Sequence, residues 1–459
     1  MNAPIIVLFR QDLRLKDNPA LNFACQKGQP VIPLYILDDF TPGLWKMGGA
    51  SRWWLHHSLT SLDRNLREKG SQLFLHQGET VSILSNLIKK YPDATICWNR
   101  CYEPYAIQLE QKIKKLHLQC QSFNGSLLFE PWEVLNQQQQ PFKIFTPFWR
   151  RCMEIGMIND PLPDPSSIPT KIIESEHLDS FKLLPHHPDW SGGLQNSWNP
   201  GEKSVNNKLG HFIAHSLKAY AQGRDIPGED STSLLSPHLH FGEVSPRQIY
   251  HIAKHLPDSS KFLSEIGWRE FSYYQLYHFP QLPEQPWRPE FSNFSWEKND
   301  GFLKKWQKGE TGYPIVDAGM RQLWKSGWMH NRVRMICASF LIKDLFLSWQ
   351  EGAKWFWDTL VDADLANNSA SWQWVAGCGF DAAPFFRIFN PVLQSEKFDP
   401  DGTYIRRWVP ELADVSAPLV HTPWKAGPDV KFCYSSPIVD HAQARKQALE
   451  KFKSLSRDF

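Results

Sequence analysis

The chain opens on IIVLF, a short apolar run, and a second run, VIPLYIL, follows after a helix-like stretch. QLFLH and ATICWN continue the series, alternating with helical periodicity near 51–69, 80–91 and 104–117. Apolar runs without polar alternation suit strands covered on both faces, and the intervening helices supply the crossovers. The first part of the chain therefore predicts an α/β domain with a parallel, Rossmann-like sheet. No GxGxxG follows the first strand, which argues against a dinucleotide site there.

Residues 159–200 change character, with NDPLPDPSSIP and LLPHHPDWSGG rich in Pro, Gly and Ser. Such a stretch sustains neither a helix nor a central strand and predicts a connection between domains. Beyond residue 203 strand signals vanish and helical periods dominate, with starts at SPRQIYHIAKHL and TGYPIVDAGMRQLWKSG. We expect an α/β domain over 1–130, a linker over 131–202 and a larger all-helical domain over 203–459. A chain of 459 residues is too long for one core in any case.

Composition narrows the class. No stretch approaches the roughly 20 apolar residues of a membrane span, and MNAPIIVLFRQDLRL carries charges where a signal peptide needs its apolar centre. A cytoplasmic protein without membrane contact is expected. Eight Cys occur with no CxxC pair, so reduced thiols are expected and no metal site. Net charge is +2, and from residue 201 onward 30 Lys and Arg face 29 Asp and Glu, so any nucleic-acid site must be a local patch. Twenty-one Trp ordinarily mean a large core, so their positions must decide their roles.

Four stretches could carry chemistry. TSLLSPHLHFGEVSPR (232–247) places hydroxyls and amides ahead of a helix, suited to phosphate, although capping by Thr232, Ser233 and Ser236 would explain it alone. Tyr220 and Arg224 lie just upstream. In GWMHNRVRMICASFLIKDLFLSW (327–349), core packing accounts for Val333, Ile336 and Phe340 but not for Asn331 and Arg334, which share a helix surface with Met335. Asp362 and Asp364 are candidate partners for Arg334. Glu265 and Trp268, three apart, set a carboxyl group beside a flat ring, where a solvated Glu next to a core Trp is the plainer reading. DADLANNSASWQW (362–374) packs acids, amides and Trp together with hardly an aliphatic residue.

TGYPIVDAGMRQL (311–323) and NRVRMICASFLIKDLFLSWQ (331–350) resemble the two signature stretches of the DNA photolyase and cryptochrome family, and DADLANNSASWQW is similar to its flavin-pocket segment. The likeness runs from VLFRQDLRLKDNPAL to RRWVPEL near 412. It implies an all-helical FAD-binding domain in which FAD is folded into a U and, when reduced and excited, gives an electron to a DNA lesion. Tyr220, Thr232, Ser233, Leu234, Leu235, Ser236 and Arg269 match positions around the flavin phosphates and ring. By the resemblance, Asp362, Ala363 and Asp364 would border the flavin, with Asp362 paired to Arg334. Asn368 would face the central nitrogen, where photolyases carry Asn, plant cryptochromes Asp and many insect ones Cys.

The resemblance also implies a three-Trp chain that photoreduces the flavin, through Trp372, Trp349 and Trp296, separated by 23 and 53 residues. The dimer site maps to Glu265, Trp268, Asn331, Met335 and Trp374, with Arg224 and Gln394 near the DNA. The family is among those that flip a base out of the duplex. Six-four photolyases carry two adjacent His where this chain reads Met329, His330, Asn331, so the likeness is greatest to a class I cyclobutane pyrimidine dimer photolyase acting as a monomer on UV-damaged DNA.

The chain's stop at Phe459, without a long tail, points the same way. The alternative is a blue-light-sensing cryptochrome without repair activity. A third reading, a light-independent flavin oxidoreductase, lacks a nicotinamide site. A second, antenna chromophore is compatible with the family. The folate-binding members use an Asn-Glu pair where this chain has Tyr105 and Ala106, which argues against that folate site.

Overall fold

In a computed structural model of the protein, residues 3–156, 158–382, 386–426 and 433–455 are described. Strands β1 (Ile5–Phe9), β2 (Val31–Leu37), β3 (Phe74–Gln77), β4 (Thr95–Asn99) and β5 (Cys120–Phe123) form one all-parallel sheet in the order β3-β2-β1-β4-β5. Helices α1 (Pro19–Gln26), α2 (Gly49–Glu68), α3 (Thr80–Lys90) and α4 (Pro104–Leu116) make the crossovers. The α/β prediction holds. Ile6, Leu8, Ile32, Leu34, Phe74, Ile96 and Trp98 form the sheet's core, which is why these strands read as continuous apolar runs.

The sequence reading did not include β5. CQSF pairs on one side only, with β4, and its residues are half-buried or exposed, so the strand carries no apolar run to read. Order reverses between β1 and β4, and the chain leaving β4 carries Arg100, Tyr102 and Glu103 from the carboxyl end of the sheet into α4. Within the Pro-rich stretch, two short helical turns occur, Leu178–Phe181 and Gly192–Ser197, while the helix Phe145–Ile155 precedes it.

By contacts the chain divides into two compact units. The first comprises residues 1–218, 233–280 and 361–366; the second comprises 219–232, 281–360 and 367–459. The first holds the sheet and also the long helix Ser260–His278. At Gly267 of that helix a Cβ would meet the Trp149 ring at 2.7 Å, so glycine lets the Phe145–Ile155 helix pack directly on it.

Helices are the only regular elements among the second unit's described residues. Its signature TGYPIVD is a folding device. The buried Asp317 carboxylate accepts from the Thr311 amide (2.7 Å) and hydroxyl (2.6 Å), the Gly312 amide (3.0 Å) and the Tyr434 hydroxyl (2.5 Å). Gly312 has φ +79, and a Cβ there would lie 2.4 Å from the Ser436 carbonyl oxygen. At Gly319 a Cβ would strike Val333 at 2.4 Å and Cys337 at 2.7 Å, so a small residue brings Pro314–Ser326 against Asn331–Lys343. The helices bearing the candidate residues are thereby held rigidly.

Candidate functional site

In the first unit, residues 233–236 turn into the short helix Ser236–His240. Leu234 takes φ +52, a left-handed conformation that a leucine adopts only when its surroundings impose it. Among the described residues, the amides of Ser233, Leu234, Leu235 and Ser236 donate to no protein acceptor. The Ser236 hydroxyl donates to the Asp362 carboxylate at 2.6 Å. A cluster of open amide donors suits phosphate oxygens.

Asp362, Ala363 and Asp364 are all buried, and Asp364 accepts a hydrogen bond from the Tyr273 hydroxyl. His240 Nδ1 lies 3.6 Å from the same carboxylate. Arg269 lies over the Tyr273 ring, 4.7 Å from its centroid, and donates through Nη1 to the Ser126 carbonyl at 2.8 Å. Burial raises the Tyr273 phenol well above its ordinary range, the neighbouring Asp364 adding to the effect, so it acts as a fixed donor.

Glu265 is half-buried and meets Lys261 at 3.2 Å, one helical turn earlier. Trp268 stacks on Phe145, with centroids 3.9 Å apart and planes 10° from parallel. One face of the Trp268 ring is thus packed and its orientation fixed.

In the second unit, Tyr220 is buried, with the Arg224 guanidinium 5.7 Å from its ring centroid. Asp225 pairs with Arg332 at 2.9 Å. Arg332 in turn donates to the Met335 sulfur at 3.8 Å, which fixes that flexible side chain. Asn331 is exposed at the first position of Asn331–Lys343, whose cap is the buried His330, its Nδ1 accepting from the Arg332 amide at 3.2 Å. Burial lowers the His330 imidazole to about 4, so it stays a neutral acceptor. Arg334 donates through Nε to the Met329 carbonyl at 2.7 Å. Thr232 and Gln394 are half-buried, Gln394 on the helix Pro391–Phe398.

Asn368, on Leu365–Ala376, donates its amide to the Ala353 carbonyl at 3.1 Å. Trp349 and Trp372 are each 2% exposed. Gly352, three residues after Trp349, would place a Cβ 2.1 Å from the Trp372 ring, so the helix Trp349–Thr359 packs on Trp372. Trp296 is half-buried against Phe294 at 4.3 Å, and the next residue, Glu297, bonds its amide to the Phe346 carbonyl at 2.9 Å, close before Trp349. Three Trp distant in sequence thus sit on segments that one packed region joins. Trp374 donates its indole N–H to the Asp381 carbonyl at 3.1 Å.

The structure brings Ser236 to Asp362, sets Asn368 on Ala353 and groups Arg224, Asp225, Arg332 and Met335. Tyr273 and His240 were absent from the sequence reading. Only Tyr273 left a signal: it lies one turn after Arg269 on the same helix, the spacing at which a guanidinium stacks on a ring.

The donor set fits FAD. Open amides at 233–236 suit its phosphates, and the acceptor-only carboxylates of Asp362 and Asp364 suit hydroxyl and N–H groups, which they would not do for a phosphate. Residues 262–454 match the FAD binding domain of DNA photolyase, and residues 5–166 match DNA photolyase. The chain is 47% identical over 475 residues to the deoxyribodipyrimidine photo-lyase of Agrobacterium fabrum, covering 99% of this chain and 98% of that one. It is 38% identical to cryptochrome-1 of Arabidopsis thaliana, over 96% of this chain and 69% of the relative. A crystal structure of a bacterial class III photolyase from Agrobacterium tumefaciens superposes with TM-score 0.95 at 46% identity, covering 100% of this chain and 98% of that one.

This chain belongs to the DNA photolyase and cryptochrome family, and FAD is its cofactor. Within the family the photolyase branch fits it better than the cryptochrome branch. The Agrobacterium structure is of class III, not the class I that the sequence resemblance implied.

Proposed function

We infer that this protein is a deoxyribodipyrimidine photo-lyase that splits cyclobutane pyrimidine dimers in UV-damaged DNA, and that its subgroup is class III. The observation that carries the reading is the end-to-end relationship to a photolyase at 47% identity. When bound, FAD supplies light absorption and the transferred electron; the protein supplies orientation and electrostatics.

The residues then take these roles. Tyr220, Thr232, Ser233, Leu234, Leu235 and Ser236 hold the phosphates, and Arg269, Arg334, Asp362, Ala363, Asp364 and Asn368 surround the remainder of the cofactor. Asn368, anchored on Ala353, presents a neutral amide oxygen, which accepts an N–H without adding charge. Trp372, Trp349 and Trp296 relay an electron inward from the surface, and indole is well suited to this because it is among the most easily oxidised side chains. Trp268 and Trp374 wall the flipped dimer, Glu265 and Asn331 hydrogen-bond it, Met335 packs on it, and Arg224 and Gln394 contact the DNA. The orientation of Trp268 by Phe145 supports its use as a wall.

Among the described residues no helix is long and apolar enough to cross a membrane. A cytoplasmic monomer is the reading we carry forward, with the all-helical FAD-binding domain beginning near 203. The spectrum of extracted chromophores identifies any antenna pigment beside FAD.

The test is anaerobic. The protein is reduced, mixed with an oligonucleotide bearing one thymine dimer and illuminated with blue light, with a dark control and a six-four lesion alongside. Light-dependent recovery of thymine absorbance for the cyclobutane dimer alone is expected. A flavin-loaded, photoreducible protein that restores nothing is a cryptochrome-like sensor instead.

A further inference from the structure

The helix Asn331–Lys343 ends on a buried charge that the repair chemistry leaves unused. Lys343 is 3% exposed and makes no ion pair among the described residues. Its ammonium donates to the Arg387 carbonyl and lies 4.6 Å from the centroid of the Phe386 ring. An ammonium has three N–H donors, so two are left without a hydrogen-bond acceptor. A buried charge so thinly paired is costly unless a further group compensates it.

Ser339, one turn earlier on the same helix face, is 1% exposed. Its oxygen accepts from the Phe389 amide at 3.3 Å, and its own proton meets no acceptor among the described residues. Ser339, Lys343, Trp374, Gly377, Arg387 and Phe389 line one cavity, which has room for a single small species. The acceptors beside it are already taken: the Arg387 carbonyl by Lys343, and the Gly377 carbonyl by Arg288 at 3.3 Å. The Arg387 guanidinium stands 5.8 Å from the centroid of the Trp374 ring.

The balance of charge agrees. The ionisable groups acting on Lys343 are Asp344, Cys378 and Arg387. Asp344 pairs with His441 at 2.5 Å, and burial pushes the Cys378 thiol up to about 12, so it stays neutral. Arg288, beyond Gly377, pairs with Glu290 at 2.7 Å. Two cations thus line the cavity and no carboxylate does. A water there could accept from Lys343 and Ser339 but would find no side-chain acceptor for its own protons. A monatomic anion only accepts, and it supplies the missing charge.

We propose that this cavity is a halide site, in which a chloride ion accepts hydrogen bonds from the Lys343 ammonium and the Ser339 hydroxyl, with Arg387 balancing its charge. Lys343 and Ser339 already hold the segment 387–389 to the helix, through the Arg387 carbonyl and the Phe389 amide. The ion completes that clamp by keeping Lys343 charged. Burial lowers the Lys343 ammonium to about 7. Binding needs the charged form, so it strengthens as pH falls through 7 and weakens above it.

The experiment is thermal unfolding of the FAD-loaded protein in gluconate buffer, titrated with bromide at constant ionic strength. A saturable rise in Tm is expected, with half-saturation about tenfold weaker at pH 8 than at pH 6. Lys343→Met, which keeps an unbranched side chain without the charge, should lose the rise. Equal rises in the two proteins, no rise in the wild type, or a half-saturation indifferent to pH each overturn the proposal. Should the variant fail to fold, wild-type crystals soaked in bromide and measured at the bromine absorption edge decide. An anomalous peak within hydrogen-bonding reach of Lys343 Nζ and Ser339 Oγ is expected; a water in that place, with bromide on the surface alone, overturns the site.

Discussion

Ser236 and Asp362, 126 residues apart, meet through a 2.6 Å hydrogen bond from hydroxyl to carboxylate. The bond ties the turn bearing the open amides to the segment bearing two buried acids. A hydrogen bond to a charged group contributes about 1.5–3 kcal/mol, and Ser236 is exposed enough to place this one at the lower end. Ser236→Ala should therefore weaken FAD retention about tenfold, since about 1.4 kcal/mol is a factor of ten. Flavin release followed by fluorescence checks this, and an unchanged off-rate removes Ser236 from the cofactor site.

The Trp372 ring makes edge-to-face contacts with Phe356 at 5.0 Å and Trp306 at 6.4 Å between centroids. Trp372→Phe keeps an aromatic ring in that core while removing the oxidisable indole. Photoreduction should slow by about tenfold or more, while protein reduced chemically beforehand should repair dimers at the wild-type rate. Gly352→Ala tests the packing separately. With the new Cβ 2.1 Å from the Trp372 ring, overpacking should cost about 1–3 kcal/mol in unfolding free energy, read by denaturant titration.

Glu265 and Lys261 are a partly exposed i,i+4 pair worth only a few tenths of a kcal/mol. Glu265→Gln should leave thermal stability within about 0.5 kcal/mol of wild type. Dimers repaired per absorbed photon should fall several-fold at saturating DNA, with flavin content unchanged. Equal repair yields would assign Glu265 to the surface alone.

Glu270 is buried, and burial raises its carboxyl to about 7, although Arg269 and the amides of Leu128 (2.8 Å) and Phe129 (3.3 Å) favour the charged form. The folded protein keeps this proton up to about pH 7, whereas the unfolded chain loses it near the ordinary value of 4.5. The stabilisation is complete below pH 4.5, declines as pH rises and is gone above 7, on the order of 3 kcal/mol in all. Glu270→Gln, which cannot ionise, should flatten that part of the Tm-against-pH curve. A parallel decline in both proteins would assign the slope to other groups.

In the sequence Asn331 and Arg334 stood out because polar groups on a buried helix need partners, and the Trp positions stood out by register with a known family. In the structure Asn331 is exposed at its helix start and Arg334 donates to the Met329 carbonyl. Physical partners were not legible. Asn368 and Ala353 lie on different helices 15 residues apart, and no periodicity announces which carbonyl an amide will find. From its residues alone the stretch 232–236 reads as ordinary capping, and only the family resemblance gave it to the phosphates; the left-handed Leu234 and the open amides around it are what the fold adds.

By itself the sequence determined the strand-and-helix alternation of the first part, the helical remainder and the family, because hydrophobic period and residue type are local properties that survive in one dimension. Only tertiary structure added the edge strand Cys120–Phe123, half-covered and so without an apolar signature. It alone gathered His240, Tyr273 and Asp364 from three distant segments. Burial and electrostatic contact depend on what the fold brings near, and that is where these groups acquire their chemistry.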